Sequence, residues 1–276
     1  LHLSIRRQRQ MCIRDSPNNT TVYSSYQWYR NGQIILGANT STYNATLAGD
    51  YYMTSTSACG NSTSNTISFC GANTYSNYTF PKGTHTYSYT DMVLDGVITI
   101  PDGADITIDH ANLYMKGCSQ ITVASSANNH GKLTITNTSI SGCALWSGIV
   151  VQGTGSAAEI IINNSQIRDA TIGIYADYSS KLNIQNTLFE DNLSHFALFQ
   201  MNGNTSTLAN IEFSFLKPAI MGCSNVPVVH GLLNNSTRRM VLIDKCLNVK
   251  FNSVQFYPNS IMNTACLLYT SDAADE

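Results

Sequence analysis

Between residues 105 and 189 one short hydrophobic figure is written four times. It reads Ile106, Ile108, Leu113; then Leu133, Ile135, Ile140; then Ile160, Ile162, Ile167; then Leu182, Ile184, Phe189, with apolar residues at offsets 0, +2 and +7. Fainter copies stand at Ala209, Ile211, Leu216 and at Val249, Phe251, Phe256. The starts lie 27, 27, 22, 27 and 40 residues apart, a self-similarity that marks a solenoid. Offsets 0 and +2 place two side chains on one face of a strand, because strand side chains alternate. The apolar residue at +7 breaks helical spacing and predicts a turn followed by a second short strand facing the same interior.

Two further features keep the same register. Asn137, Asn164 and Asn186 stand at offset +4, each followed by Thr or Ser. Asn tolerates tight-turn backbone angles and its amide can bond along a stack, so these three residues predict a ladder. At offset −1 stand Asp105, Lys132, Glu159 and Lys181, alternating in sign as stacked neighbours on an outward sheet face should. Each repeat continues into a Gly-containing apolar strand, 146–151 and 171–176. Two or three strands per 22–27-residue repeat, with no helical segment, predict an all-β chain whose residues 95–265 form a parallel β-helix.

Upstream, residues 17–70 show short alternating segments broken by turn residues, with Asn31-Gly32 placed as a two-residue hairpin turn. They predict a partial antiparallel β-sandwich with Trp28 as a core aromatic. Cys59 and Cys70 flank a segment expected to form a hairpin and could pair across it. Residues 71–94, rich in Thr, Tyr and Ser, read as a linker or cap.

Charged residues make up only 12% of the chain, which suits a secreted β-protein. Nucleic acid is not expected as a partner, since the Lys/Arg clusters that release counterions are missing. The ends, 1–16 and 266–276, differ abruptly from the rest and resemble translated sequencing-adapter read-through, so they are expected to be non-native tails. Setting them aside leaves six cysteines, Cys59, Cys70, Cys118, Cys143, Cys223 and Cys246, in no metal-ligand spacing. No metal or cofactor is expected, and no apolar run approaches the ~18 residues of a membrane span.

The stretch DGVITIPDGADITI, with GKLTITNTSISGC and WSGIVVQG, resembles the right-handed parallel β-helix repeats of large secreted bacterial surface proteins. Many of these carry immunoglobulin-like modules and leave the cell by the type IX route. Residues 17–70 resemble such a module, with Trp28 at the strand-C tryptophan and Gly49-Asp50-Tyr51 at the tyrosine corner. Met53 stands where the second sandwich cysteine would be. The resemblance implies a right-handed β-helix behind an immunoglobulin-like sandwich, in a secreted or cell-surface protein.

The expected function is a non-catalytic adhesion or display scaffold in a multidomain protein, with a glycan or a surface protein of a host or neighbour as partner. Tyr175, Tyr178 and Phe196 are its candidate binding residues, aromatic rings on successive coils suited to stacking on sugars. The alternative is a polysaccharide lyase or glycoside hydrolase. For it, Asp169 and Asp191 share offset +9 in adjacent coils, with Arg168 and Glu190 at +8, a carboxylate cluster with a basic neighbour. His110 and His195 stand alone and read as surface or packed histidines.

Overall fold

Residues 2–3, 23–57, 60–72, 74–153, 157–201, 205–214, 239–257 and 269–270 are described by a computed structural model. The chain divides into two units, 1–72 and 73–276.

In the first unit Tyr23–Arg30 turns through Asn31 and Gly32, both at positive φ (51° and 76°), into Gln33–Ile34. Tyr23–Arg30 also pairs antiparallel with Gly49–Ser57, placing Trp28 opposite Met53. Trp28 is fully buried and donates its indole N–H to Thr40 O at 2.9 Å. Tyr51 packs beside it and donates its hydroxyl to Leu47 O at 2.7 Å. These strands belong to one antiparallel sheet, and Tyr43–Asn44 pairs antiparallel with His2–Leu3 in a separate two-stranded sheet. The hairpin expected after Cys59 is instead one interrupted edge strand: Gly60–Thr63 and Ile67–Phe69 both pair with Gly49–Ser57, whose nine residues offer a long enough edge for both. Cys59 and Cys223 lie outside the described residues. Cys70, Cys118 and Cys143 are disulfide-bonded, and Cys246 is free.

The second unit is a parallel β-helix of about five turns, and each turn has three faces. The first face stacks Gly83–Ser88, Ala104–Asp109, Lys132–Thr136, Glu159–Asn163 and the first half of Lys181–Glu190. The second stacks Asp91–Asp95, Asn112–Met115, Ser139–Gly142, Gln166–Arg168 and the second half of Lys181–Glu190. The third stacks Val97–Ile100, Gln120–Val123, Trp146–Gly153, Ala170–Tyr178 and Ser194–Phe199. Ser206–Ser214, Arg239–Asp244 and Val249–Tyr257 continue the same ladders. The segment read as a linker or cap thus contributes strands to the stack, with Met92 and Leu94 buried inside it.

All twelve residues of the four strong copies point inward and are at most 2% exposed. The fifth copy sits three residues earlier than its hydrophobic spacing indicates. Ser206, Leu208 and Phe213, rather than Ala209, Ile211 and Leu216, align with Leu182, Ile184 and Phe189. The inward Ser206 hydroxyl accepts Leu182 N–H at 3.1 Å, so a polar residue occupies the register slot. Leu216 lies outside the described residues.

The turn between the first and second faces is made by one residue at positive φ in each coil: Tyr89, His110, Asn137, Asn164, Asn186, Asn210 and Ser253, all between 47° and 55°. From Ala111 through Thr138, Ser165 and Thr187 to Ile211 the next residue turns inward. Thr138 donates its hydroxyl to Thr136 O (2.7 Å) and accepts Ala111 N–H (3.3 Å); Ser165 donates to Asn163 O (2.8 Å) and accepts Thr138 N–H (3.2 Å). The buried backbone of the corner is therefore satisfied by the hydroxyl after each Asn, while the Asn amide stays on the surface. Amides do reach back along the stack, Asn137 to Asp109 (3.2 Å), Asn186 to Asn163 (3.0 Å) and Asn210 to Asn186 (3.1 Å).

On the third face Gly148, at φ 117°, sits at a register shift where the next coil inserts Gly173. A Cβ there would lie 1.6 Å from Ile172 O.

Two outcomes test this account by urea denaturation. Asn164→Gly, which keeps the positive φ available, should change stability by less than about 0.5 kcal/mol, whereas Asn164→Val should cost about 1–2 kcal/mol. Gly148→Ala must open the bulge and should cost about 3 kcal/mol or more; an unchanged midpoint would refute the close approach.

Candidate functional site: an amide-lined groove along the first corner

Stacking four corners in register does more than close the coils. Asn137, Asn164, Asn186 and Asn210 are all exposed and form one column. Two residues further on, the outward positions of the second face carry Ser139, Gln166, Leu188 and Glu212. Column and strip bound a groove of about 660 Å³ that crosses four coils. Among the described residues its lining is amide and hydroxyl, with Leu188 as an apolar patch and Glu212 as its one charge. Gln166 also donates to Glu190 Oε2 at 3.3 Å, fixing an amide at the groove wall.

The column continues past Asn137 through His110 to Tyr89. Their rings stack with centroids 4.9 Å apart and planes 22° from parallel, and Tyr89 is 78% exposed. His110 Nδ1 lies 2.9 Å from Asp109 Oδ2, and Asp109 Oδ1 accepts from Thr136 Oγ1 (2.7 Å) and from Asn137. The hydrogen bonds from His110 and then Thr136 bring the Asp109 carboxyl down to about 2, so it is ionised across the physiological range. No feature of residue type marks Tyr89 or His110 as part of a surface strip; the register of positive-φ corners reveals it.

The residues singled out from sequence fall elsewhere. Phe196 is fully buried, packed 4.6 Å from Phe189 and 5.5 Å from Phe213, so it is core and offers no surface to a ligand. Tyr175 is also buried, in a second apolar cluster with Val150, Ile172, Ala197, Phe199 and Leu242. Its hydroxyl donates to Asp177 Oδ2 at 3.2 Å, and burial together with that carboxylate pushes the phenol well above its ordinary range. Only Tyr178, 54% exposed at the third corner, is open to solvent. Asn137, Asn164 and Asn186 form the expected column, and they line the groove.

The acidic residues fall at neighbouring register positions. Arg168 stands opposite Glu190 in the strand register of adjacent coils, its Nε lies 4.0 Å from Asp169 Oδ2, and Asp169 and Asp191 are successive positive-φ residues of the second corner. Asp191 is buried, as are Asn192 and His195. Asn192 knits the coils together, accepting Ala170 N–H (2.8 Å), donating to Ile167 O (3.0 Å) and contacting His195 Nδ1 (3.1 Å). His195 stacks on Phe213 at 5.1 Å inside the rod, as a packed histidine. None of these residues lines the groove.

Among the described residues no group of three or more His, Cys, Asp and Glu is placed to hold a metal ion, and no helix is long and apolar enough to cross a membrane. Comparison of the chain with protein-family models, with curated proteins and with solved structures found no match.

Proposed function

We propose that this chain belongs to a secreted or cell-surface multidomain protein, in which the β-helix is a non-catalytic adhesion or display rod and the first-corner groove is its recognition surface. The observation that carries this reading is the groove itself: one continuous surface rimmed by amides, built from the same register positions of four successive coils. Repetition of that kind suits an extended partner. Disulfides at Cys70, Cys118 and Cys143 support an oxidising compartment. The buried Trp28 and the Tyr51 hydroxyl bonded to Leu47 O support an immunoglobulin-like module in front of the rod. Bacterial origin and type IX export rest on the resemblance of the repeat sequence.

The enzymatic alternative at Asp169, Glu190 and Asp191 draws on the adjacency of two aspartates in neighbouring coils. Their place as corner residues outside the groove favours a structural part for them.

Beads coated with the protein should be retained by at least one surface in a panel of plant cell wall, bacterial cell wall and mucin, and Leu188→Trp, which fills the groove, should abolish retention. Retention on no surface, or retention indifferent to the substitution, defeats the reading, and new reducing ends or unsaturated products would restore the enzyme. Alkylation of the unreduced, denatured protein should label Cys246 and leave Cys70, Cys118 and Cys143 unmodified; labelling of all four would remove the support for an oxidising compartment.

A further inference from the structure

We infer that the partner of this groove is a neutral, linear polysaccharide lying parallel to the rod axis, with the stacked Tyr89 and His110 as a platform at one end of its site. The inference rests on the groove being the recognition surface, and it specifies the ligand's chemistry, direction and extent.

The chemistry follows from the lining. The Thr138, Ser165 and Thr187 hydroxyls are engaged by the corner backbone, so what the groove offers outward is its column of amides with Gln166 and Ser139. An amide presents two donors and an acceptor and matches groups that both give and take hydrogen bonds. Sugar hydroxyls are such groups. An anionic chain such as a uronate polymer, a nucleic acid or a sulfated glycan would meet no Lys, Arg or His among the described groove residues, would face Glu212 there, and at the platform would find His110 already paired with the Asp109 carboxylate. A peptide could not add as a strand, since the strands flanking the groove are already paired on both sides. Leu188, half-buried among the amides, supplies the apolar contact that the C–H face of a pyranose prefers.

The direction follows from the repeat. Successive coils are about 4.8 Å apart, close to the length of one pyranose in an extended chain. A glycan along the axis therefore meets an equivalent amide at each residue, whereas one lying across the rod would meet only one. The extent follows from the corner column, which runs unbroken from Asn210 through Asn137 and His110 to Tyr89. Six coils at that spacing span about 25 Å, enough for roughly five sugars. At the Tyr89 end the surface changes from hydrogen-bonding to aromatic. The ring is exposed yet held by its stack on His110, which is itself fixed by Asp109 and through it to Asn137. A ring held in this way loses little freedom when a sugar stacks on it.

The test is a titration with cello-, xylo-, manno- and malto-oligosaccharides of two to six residues, with polygalacturonate as the anionic probe. One neutral series should bind, with affinity rising with length to about five residues. Asn164→Gly, which removes an amide and keeps the corner, should weaken the longest member about five- to tenfold, the size of one lost hydrogen bond. Tyr89→Ala should weaken it about fivefold or more, and only for chains long enough to reach the platform, while Tyr89→Phe should not. Thermal unfolding of each variant separates weak binding from misfolding. Preferential binding of polygalacturonate, neutral binding indifferent to both residues, or no neutral series binding at all overturns the inference. If bead retention still depends on the groove when no neutral glycan binds, this inference falls and the display reading stands; if retention is also lost, both fall.

Discussion

One backbone constraint governs the rod: at each first corner a single residue takes a left-handed conformation, and in five successive coils, from Ala111 to Ile211, the next turns its side chain inward. A non-glycine residue in that conformation costs roughly 1–2 kcal/mol, and the turn exposes peptide groups in the interior where water cannot satisfy them. The sequence meets both demands in two adjacent positions. Asn, among the residues that tolerate positive φ best, takes the corner, and Thr or Ser behind it bonds the carbonyl two residues back and the N–H of the neighbouring coil. With the corner fixed, the first- and second-face strands have no freedom to slide, because a one-residue slip would bring every outward polar side chain into the core.

The charged column refines this register without creating it. Lys132 lies 3.2 Å from Asp105, and Lys181 lies 2.8 Å from Glu159. Each pair is partly exposed, and exposed pairs contribute under about 1 kcal/mol. Burial of the isoleucine and leucine columns stabilises the rod far more, since each such side chain is worth about 1.5–3 kcal/mol. The charges act against error: a coil displaced by one repeat would set Asp105 beside Glu159, or Lys132 beside Lys181.

These features explain which parts of the molecule are legible in the sequence. The first face can be read because one side of each strand is wet, so apolar and polar positions alternate, and the second face is read only through its single inward residue at +7, since its outward Val93, Tyr114 and Ser141 are themselves buried. The third face is buried on both sides from Val150 through Phe199, and without alternation its strand is only an apolar run, from which neither boundaries nor facing can be extracted. Tyr175 and Phe196 mislead for that reason, since aromatic rings on a doubly buried strand resemble a surface cluster when only spacing is seen. Ser206 displaces the fifth copy because a hydrophobic count cannot recognise an inward hydroxyl that has a partner. The segment 71–94 hides its strands because Thr, Tyr and Ser dilute the apolar signal that Met92 and Leu94 carry. The groove is not legible at all as a site. Its residues are common surface types, and only the stacking of four coils makes them one surface.

The corner column also bears on why those residues are Asn. Positive φ alone does not require it, because Tyr89, His110 and Ser253 hold the same conformation in the same column, and Gly would hold it with less strain. Nor does satisfaction of the buried backbone require it, because the Thr and Ser hydroxyls perform that task. What remains is the exposed amide. In Asn186 and Asn210 it links one coil to the next, and along the whole run it gives the surface a donor and an acceptor at every step of the rod. Structural need thus fixes the backbone of the column and leaves its outward chemistry open. That chemistry changes from amide to aromatic where the groove gives way to His110 and Tyr89, a change that the fold itself does not demand.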